Sequence, residues 1–235
     1  MKYHYLIMTR QYRSPQIKRS QINKGQFIGK GQHPTTFRRV YATEVYESGR
    51  KFQTVCKTPG FFFGSSETSR IIQNYRKIKM LGLPVPAFVR SLREEVEGAD
   101  VPKISLIAED VRKRVGKIYD CHKDGAPVFL QKLRVKKDPQ LIKALAQDLA
   151  TLHNNDIIPF EIDFWHFYKI GKWRFWKRGT WERIIVDFNK FSRFKAKTDL
   201  SEMAEANLKV ISHYMRADVW KKFHEEYLKI RSDVN

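Results

Sequence analysis

The sequence predicts an α+β chain in which a small β-rich part with one helix precedes a larger, mainly helical part. Three observations predict it. Apolar residues cluster in short strand-like runs between 25 and 57, they switch to a helical period from Ser65 to Leu81, and the last third of the chain carries helical stripes. A length of 235 residues suits one domain of ordinary size or two small lobes. With 42% hydrophobic and 13% aromatic residues the chain can bury a core, which excludes a disordered basic tail.

The elements follow in order. Residues 1–24 are basic and polar and read as an extension. Gln26-Phe27-Ile28, Phe37 to Tyr46 and Phe52 to Cys56 read as strands, with Glu47-Ser48-Gly49-Arg50 as a hairpin turn between the last two. Ile71, Ile72, Tyr75, Ile78 and Leu81 then share a helix face, and Gly82 with Pro84-Val85-Pro86 stops the helix. Residues 86–93 and 103–109 read as two strands around an acidic loop, and 110–137 is mixed. Asp138 is a suitable N-cap and Pro139 suits the first helical position. The helix they open runs to His153 and buries Leu141, Ile142, Leu145, Leu149 and Leu152. Two short strands, about 166–171 and 183–187, flank a Trp-rich basic segment. One helix from Leu200 carries Met203, Leu208 and Ile211, and a last one carries Trp220, Phe223 and Tyr227. The boundary between the two parts falls near 110–113.

Composition narrows the partners. The chain has 45 Lys and Arg against 25 Asp and Glu, a formal charge of +20. Residues 1–43 hold nine basic residues and no acid; residues 165–183 hold six basic residues, one acid and four of the five tryptophans. Such a field attracts polyanions: nucleic acid, phosphorylated glycolipid, an anionic membrane face or nucleotide phosphates. A soluble surface with high counter-charge is the plain alternative. No apolar run reaches the ~18–20 residues of a membrane span, and the first residues make a poor signal peptide. Cys56 and Cys121 form neither a disulfide framework nor a zinc spacing, and they fit a reducing, cytoplasmic compartment.

Four short features occur in a fixed order. In Phe27-Ile28-Gly29-Lys30-Gly31, Gly29 and Gly31 let a backbone approach phosphates closely, although a glycine hairpin explains them as well. His33-Pro34-Thr35-Thr36 stands where a third glycine belongs. Lys57 ends the apolar strand Thr54-Val55-Cys56 and can reach ATP phosphates, or it is one more surface lysine. The third feature is Leu152-His153, then Ile157 to Asp163, then His166. The fourth is Ile184-Ile185-Val186-Asp187-Phe188-Asn189, whose Asp187 is suited to hold Mg²⁺ at a strand end.

Together these features resemble the two-lobed protein-kinase-like fold, over about 25 to 230. The resemblance implies an N-lobe over 25–111 and a C-lobe over 112–235. Gly29 and Gly31 fit its glycine loop, Lys57 its third-strand lysine, and Ile107-Ala108-Glu109-Asp110 the fifth strand and hinge. Leu149 to Ile158 fits the long helix and the strand entering the catalytic loop, and Asp187-Phe188-Asn189 fits the Asp-Phe-Gly metal motif. Within the fold the sequence is most similar to lipopolysaccharide kinases of the Kdo and heptose type. The supporting stretches are Leu81 to Pro86, Asp187 to Phe194, and Asn207-Leu208 followed by Trp220, Phe223 and Tyr227.

The departures bear on mechanism. At the His-Arg-Asp-x-x-x-x-Asn spacing stand Pro159, Phe160, Glu161 and, five residues on, His166. Glu161 keeps a carboxylate one methylene further out, and misplacement by ~1 Å can cost on the order of a hundredfold in rate. Asp163 is a second candidate base or metal helper. His166 is a poor Mg²⁺ ligand, because Mg²⁺ prefers hard oxygens. No acid lies between Thr68 and Arg93, so Glu67 is the available partner for Lys57, roughly on the face of Ile71 to Asn74.

The resemblance implies ATP and Mg²⁺ as cofactors and an anionic acceptor: a glycolipid, a phosphorylated sugar or another polyanion. Trp173, Trp176, Lys177 and Arg178 interleave aromatic and basic groups, as at a lipid headgroup layer or a sugar-stacking surface. They imply a peripheral contact at the inner membrane face. Their alternative is a hairpin whose aromatics pack on the C-terminal helices. A catalytically inactive pseudokinase that binds a polyanion or partner is the second functional expectation. A nucleic-acid-binding module is the third and is disfavoured, since it explains the charge but not the ordered motifs.

Overall fold

A computed structural model describes residues 22–29, 37–47, 50–59, 65–94, 103–111, 119–121, 125–170, 180–193 and 197–232. The architecture is mixed α+β, as expected. Five antiparallel strands form one sheet in the order β1-β2-β3-β5-β4. They are β1 (Ile22–Gly29), β2 (Phe37–Glu47), β3 (Arg50–Pro59), β4 (Val89–Glu94) and β5 (Lys103–Glu109). β2 and β3 pair from Glu47↔Arg50 to Phe37↔Pro59, as the Ser48-Gly49 turn predicts. Opposite residues Thr43 and Thr54 are buried, and their hydroxyls bond to each other at 2.5 Å. β1 begins at Ile22, so residues 22–24 belong to the sheet rather than to the basic extension. Residues 1–21 lie outside the described residues.

Helix α1 (Ser65–Met80) follows β3. It buries Ile71, Ile72, Tyr75 and Ile78, the stripe its periodicity predicts, and exposes Arg70, Arg76 and Lys79. Gly82 ends it at φ +73, a left-handed conformation that costs glycine nothing, with its N–H bonded to Lys79 O at 3.0 Å. The Tyr75 hydroxyl donates to Ala87 O at 2.7 Å, fastening the following Pro-rich stretch onto α1.

Beyond residue 119 come β6 (Tyr119–Cys121), α2 (Gly125–Lys132), α3 (Pro139–Asn154), β7 (Ile157–Pro159), β8 (Trp165–Ile170), β9 (Thr180–Ile185), β10 (Phe191–Arg193), α4 (Lys197–His213) and α5 (Ala217–Ser232). α3 is the core helix: Ile142, Leu145, Leu149 and Leu152 are fully buried, each burial stabilising by roughly 1.5–3 kcal/mol. Asp138 precedes it and Pro139 opens it, as expected. The Asp138 carboxylate accepts from Arg134 N–H at 3.1 Å, however, and so ties the entering turn rather than the helix's own first N–H groups. One buried cluster runs from α1, β4 and β5 through α3 to α5.

Some elements differ from expectation. α2 is absent from the sequence reading because it is eight residues long and has Gly125 and Pro127 in its first turn. β6, β7 and β10 have three residues each, too few to show a period of two. The strands around the Trp-rich segment are 165–170 and 180–185, so Asp187 stands two residues beyond β9. The helix expected from Leu200 starts at Lys197.

Candidate functional site

The candidate site is a gap in a two-stranded ribbon. β7 pairs with β10 through Pro159↔Phe191, and β8 pairs with β9 through Trp165↔Ile185; partner numbers add to 350 in both ladders. Phe160 N–H donates to Lys190 O, and Val186 N–H to Phe164 O, both at 2.8 Å, so the same register enters the gap from each side. Inside it both chains tighten into 3-10 turns, Ile162–Phe164 and Phe188–Lys190. A 3-10 turn bonds within itself and cannot continue a ladder. Three residues on each arm lie between these two bonds, 161–163 on one and 187–189 on the other. Two carboxylate-bearing segments some 25 residues apart thus face each other across the gap.

Asp187 opens its turn at φ 53, ψ 51. Few residues other than glycine adopt this left-handed region, Asp and Asn most readily. Glu161 is extended and its side chain is 56% exposed, yet its Oε2 is held 2.6 Å from Lys190 Nζ, whose side chain is only 17% exposed. Asp163 is half-buried beside the first residue of α2: a Cβ at Gly125 would lie 3.3 Å from Asp163 Oδ1. Gly125, at φ +76, both turns the chain into α2 and leaves room for that carboxylate. His166 lies opposite Ile184 on the β8–β9 ladder, two residues past the Phe164–Val186 bond that closes the gap. The Tyr168 hydroxyl lies 3.5 Å from His166 Nδ1.

Helix α1 is fastened to the Asp187 segment. Asn74 Nδ2 donates to Phe188 O at 2.9 Å and to Phe191 O at 3.1 Å, and Tyr75 meets the Phe188 ring edge-on with centroids 5.3 Å apart. Pro84 O accepts from Ile185 N–H at 2.7 Å, so the Leu81 to Pro86 turn also reaches the ribbon. Of the α1 positions considered for facing Lys57, Ile71 and Ile72 are core and Asn74 serves the ribbon.

Lys57 stands on β3 opposite Val40 and Leu106, Glu67 is in the first turn of α1, and Gly29 ends β1 opposite Val40. The side chains of Lys57 and Glu67 lie outside the described residues, as do Gly31, Trp173, Trp176, Lys177 and Arg178. Of the flanking tryptophans, Trp165 is fully buried and Trp181 packs edge-on against Phe129 of α2, with centroids 4.7 Å apart. Both pack in the core, Trp165 beside Phe164 and Trp181 on α2.

A buried polar network backs β7. His153 Nδ1 lies 2.8 Å from the Tyr227 hydroxyl, and His153 Nε2 lies 3.2 Å from Asn207 Oδ1. Asn207 Nδ2 donates to Pro159 O at 2.7 Å. With Oδ1 accepting, Nε2 carries the proton and Nδ1 accepts from Tyr227, which makes the imidazole neutral. Burial, followed by the Arg231 charge, lowers the His153 pKa to about 4. Nearby, Arg183 on β9 forks onto buried Asp148 of α3 with both bonds at 2.8 Å. Burial raises the Asp148 pKa above its ordinary value, and Arg183 opposes the rise.

Among the described residues no group of three or more His, Cys, Asp or Glu gathers as around a metal ion. A Mg²⁺ held by one or two carboxylates and substrate phosphates needs no such group, and Asp187 has the hard oxygens for it. His166, with its nitrogen donors further along the ladder, fits Mg²⁺ poorly. Sequence reasoning named Glu161, Asp163 and Asp187 but did not single out Lys190 or Gly125. Lys190 had one signal, its place in the Asp187 to Phe194 stretch that carries the kinase resemblance; Gly125 had only its own glycine. A scan against protein-family models finds no match for this chain, and neither does a search of curated proteins. Among the described residues no helix is long and apolar enough to cross a membrane.

Proposed function

We propose that this chain is a small kinase-like phosphotransferase that moves the γ-phosphoryl of ATP to a hydroxyl of an anionic acceptor. The observation that carries the reading is the shared register on either side of the gap, which sets segment 161–163 against segment 187–189. The order of elements supports it as well: Gly29 at the end of β1, Lys57 on the third strand, a helix next, the core helix α3, and Asp187 after β9. On this reading β1 to β5 with α1 form the nucleotide-binding N-lobe, and the rest forms the C-lobe.

Gly29 and Gly31 then cover the phosphates and Lys57 holds them, steadied by Glu67. Asp187 is the ligand for Mg²⁺, which when bound neutralises charge on the phosphate oxygens. Glu161 accepts the acceptor's hydroxyl proton, and Asp163 stands behind it as a second carboxylate. The excess charge ahead of β1 and the loop bearing Trp173, Trp176, Lys177 and Arg178 hold the acceptor or an anionic membrane face. The acceptor type closest to the sequence resemblance is a lipopolysaccharide-type glycolipid.

A second reading has one observation in its favour. Glu161 is occupied by Lys190, as in a pseudokinase whose base is already paired while it binds a polyanion or partner. Mg-ATP binding by thermal shift and hydrolysis by phosphate release separate the two. The wild type is expected to bind and turn over Mg-ATP, and Asp187→Ala to lower turnover on the order of a hundredfold or more. A wild type that binds no Mg-ATP sinks the enzyme reading, and an unaffected Asp187→Ala sinks the metal assignment.

A further inference from the structure

We infer that Lys190 is a catalytic residue, the cation that meets the transferring phosphoryl group on its acceptor side. The inference rests on the phosphotransferase reading and adds to it a residue to which the sequence reading gave no role. The loop that enters the gap, residues 157–164, carries no Lys or Arg of its own. Lys190 supplies a cation from the opposite arm. Its backbone carbonyl accepts from Phe160 N–H at 2.8 Å, its own N–H donates to Asp187 O at 2.8 Å, and its ammonium lies 2.6 Å from Glu161 Oε2. One residue thus contacts the base candidate by its side chain and the metal candidate by its backbone.

The distances favour a chemical role over a staple. An acceptor hydroxyl bonded to Glu161 puts its oxygen about 3 Å from that carboxylate. In a near-attack geometry the phosphorus lies about 3–3.5 Å beyond the hydroxyl oxygen. An ammonium already on the same carboxylate oxygen needs only a rotamer change to touch the phosphoryl oxygens, where negative charge is spread in the transition state. As a staple the pair is redundant, because the β7–β10 ladder already sets the register of these two segments. An ion pair with a half-exposed partner adds little to stability in any case.

In the step itself, the acceptor oxygen forms a bond to the γ-phosphorus and the bond from that phosphorus to the β,γ-bridging oxygen breaks. The bridging electrons leave with ADP, and the hydroxyl proton passes to Glu161. Lys190, released from Glu161 as the acceptor hydroxyl binds, balances the phosphoryl charge and takes no proton.

The test compares wild type, Lys190→Met, Lys190→Arg and Glu161→Gln. Three quantities are read: Mg-ATP hydrolysis with water as acceptor, affinity for Mg-ADP with aluminium fluoride as a mimic of the phosphoryl in flight, and thermal melting. Lys190→Met is expected to lower kcat at least tenfold with KM for ATP within twofold. It is also expected to weaken the aluminium fluoride complex at least tenfold, with melting unchanged. Lys190→Arg retains most of both, and Glu161→Gln loses turnover while keeping the complex. The inference is overturned if Lys190→Met stays within twofold of wild type in both readouts, or if Lys190→Met and Glu161→Gln lower melting alike and leave the complex intact. Should Lys190→Met not fold, Lys190→Gln is read in the same way, and a Lys190→Gln complex within twofold of wild type overturns the inference. A wild type that binds no Mg-ATP removes the phosphotransferase reading and this inference with it, whereas active wild type with an indifferent Lys190 removes the inference alone.

Discussion

The two sides of β7 use polar groups in opposite ways. Behind it, Asp148 with Arg183, and His153 with Tyr227 and Asn207, are buried and joined to defined partners. In front of it, Glu161 and Lys190 meet at 2.6 Å with the carboxylate more than half in solvent. A buried polar group without its partner loses hydration that nothing replaces, so the rear contacts hold α3, α4 and α5 to the ribbon and leave nothing for a ligand. An exposed pair exchanges partners at little cost, which is what a substrate requires. On the proposed function the exposed pair belongs to the site and the buried contacts are its foundation.

Breaking the rear is expected to have the largest effect on stability. Arg183→Met leaves Asp148 buried without its cation and is expected to cost about 3–5 kcal/mol at pH 7 in urea unfolding. Arg183 is also what opposes the upward shift of the Asp148 pKa. Without it the folded carboxyl binds its proton more readily than the unfolded chain does, so stability rises as pH falls through the folded pKa. The deficit should therefore shrink on mild acidification, and a pH-independent deficit would point to lost packing instead.

The next effect comes from His153. Its folded pKa of about 4 lies below the ordinary 6.5, so between those values the unfolded chain takes up a proton that the folded chain declines. Stability is expected to fall as pH drops across that window, by on the order of 3 kcal/mol once pH is below about 4. His153→Gln keeps a polar side chain toward Tyr227 and Asn207 and should remove most of this slope. An unchanged slope assigns it to other groups.

The smallest stability effect belongs to the front. Glu161→Gln is expected to change unfolding by less than about 1 kcal/mol while lowering Mg-ATP turnover by about a hundredfold or more. A large stability loss with intact turnover would invert the comparison and make the front pair structural.

Local pattern carried much of the fold. α1 and α3 were legible because their apolar stripes recur at helical spacing and end in Gly82 or begin with Pro139. The β2–β3 hairpin was legible because Ser48-Gly49 interrupts two alternating runs. α2, β6, β7 and β10 were not, being too short to show a period. At the site, an Asp closing an apolar run picked out Asp187, and the spacing of the kinase-like resemblance picked out Glu161 with Asp163 beside it. The same spacing picked out His166, which the ladder sets opposite Ile184, past the bond that closes the gap.

By itself the sequence determined which groups are available: two carboxylates after β7, one after β9, a helix stopped by glycine, and a large basic excess. Tertiary structure decided which of them meet. The register joining 157–170 to 180–193 is set by long-range backbone pairing and by burial of Phe164, Trp165, Phe188 and Phe191, and one residue of slip would separate every facing pair. That register sets Lys190 opposite Phe160, next to Glu161, and segment 161–163 against segment 187–189, because contacts across about thirty residues of chain leave no trace in local spacing.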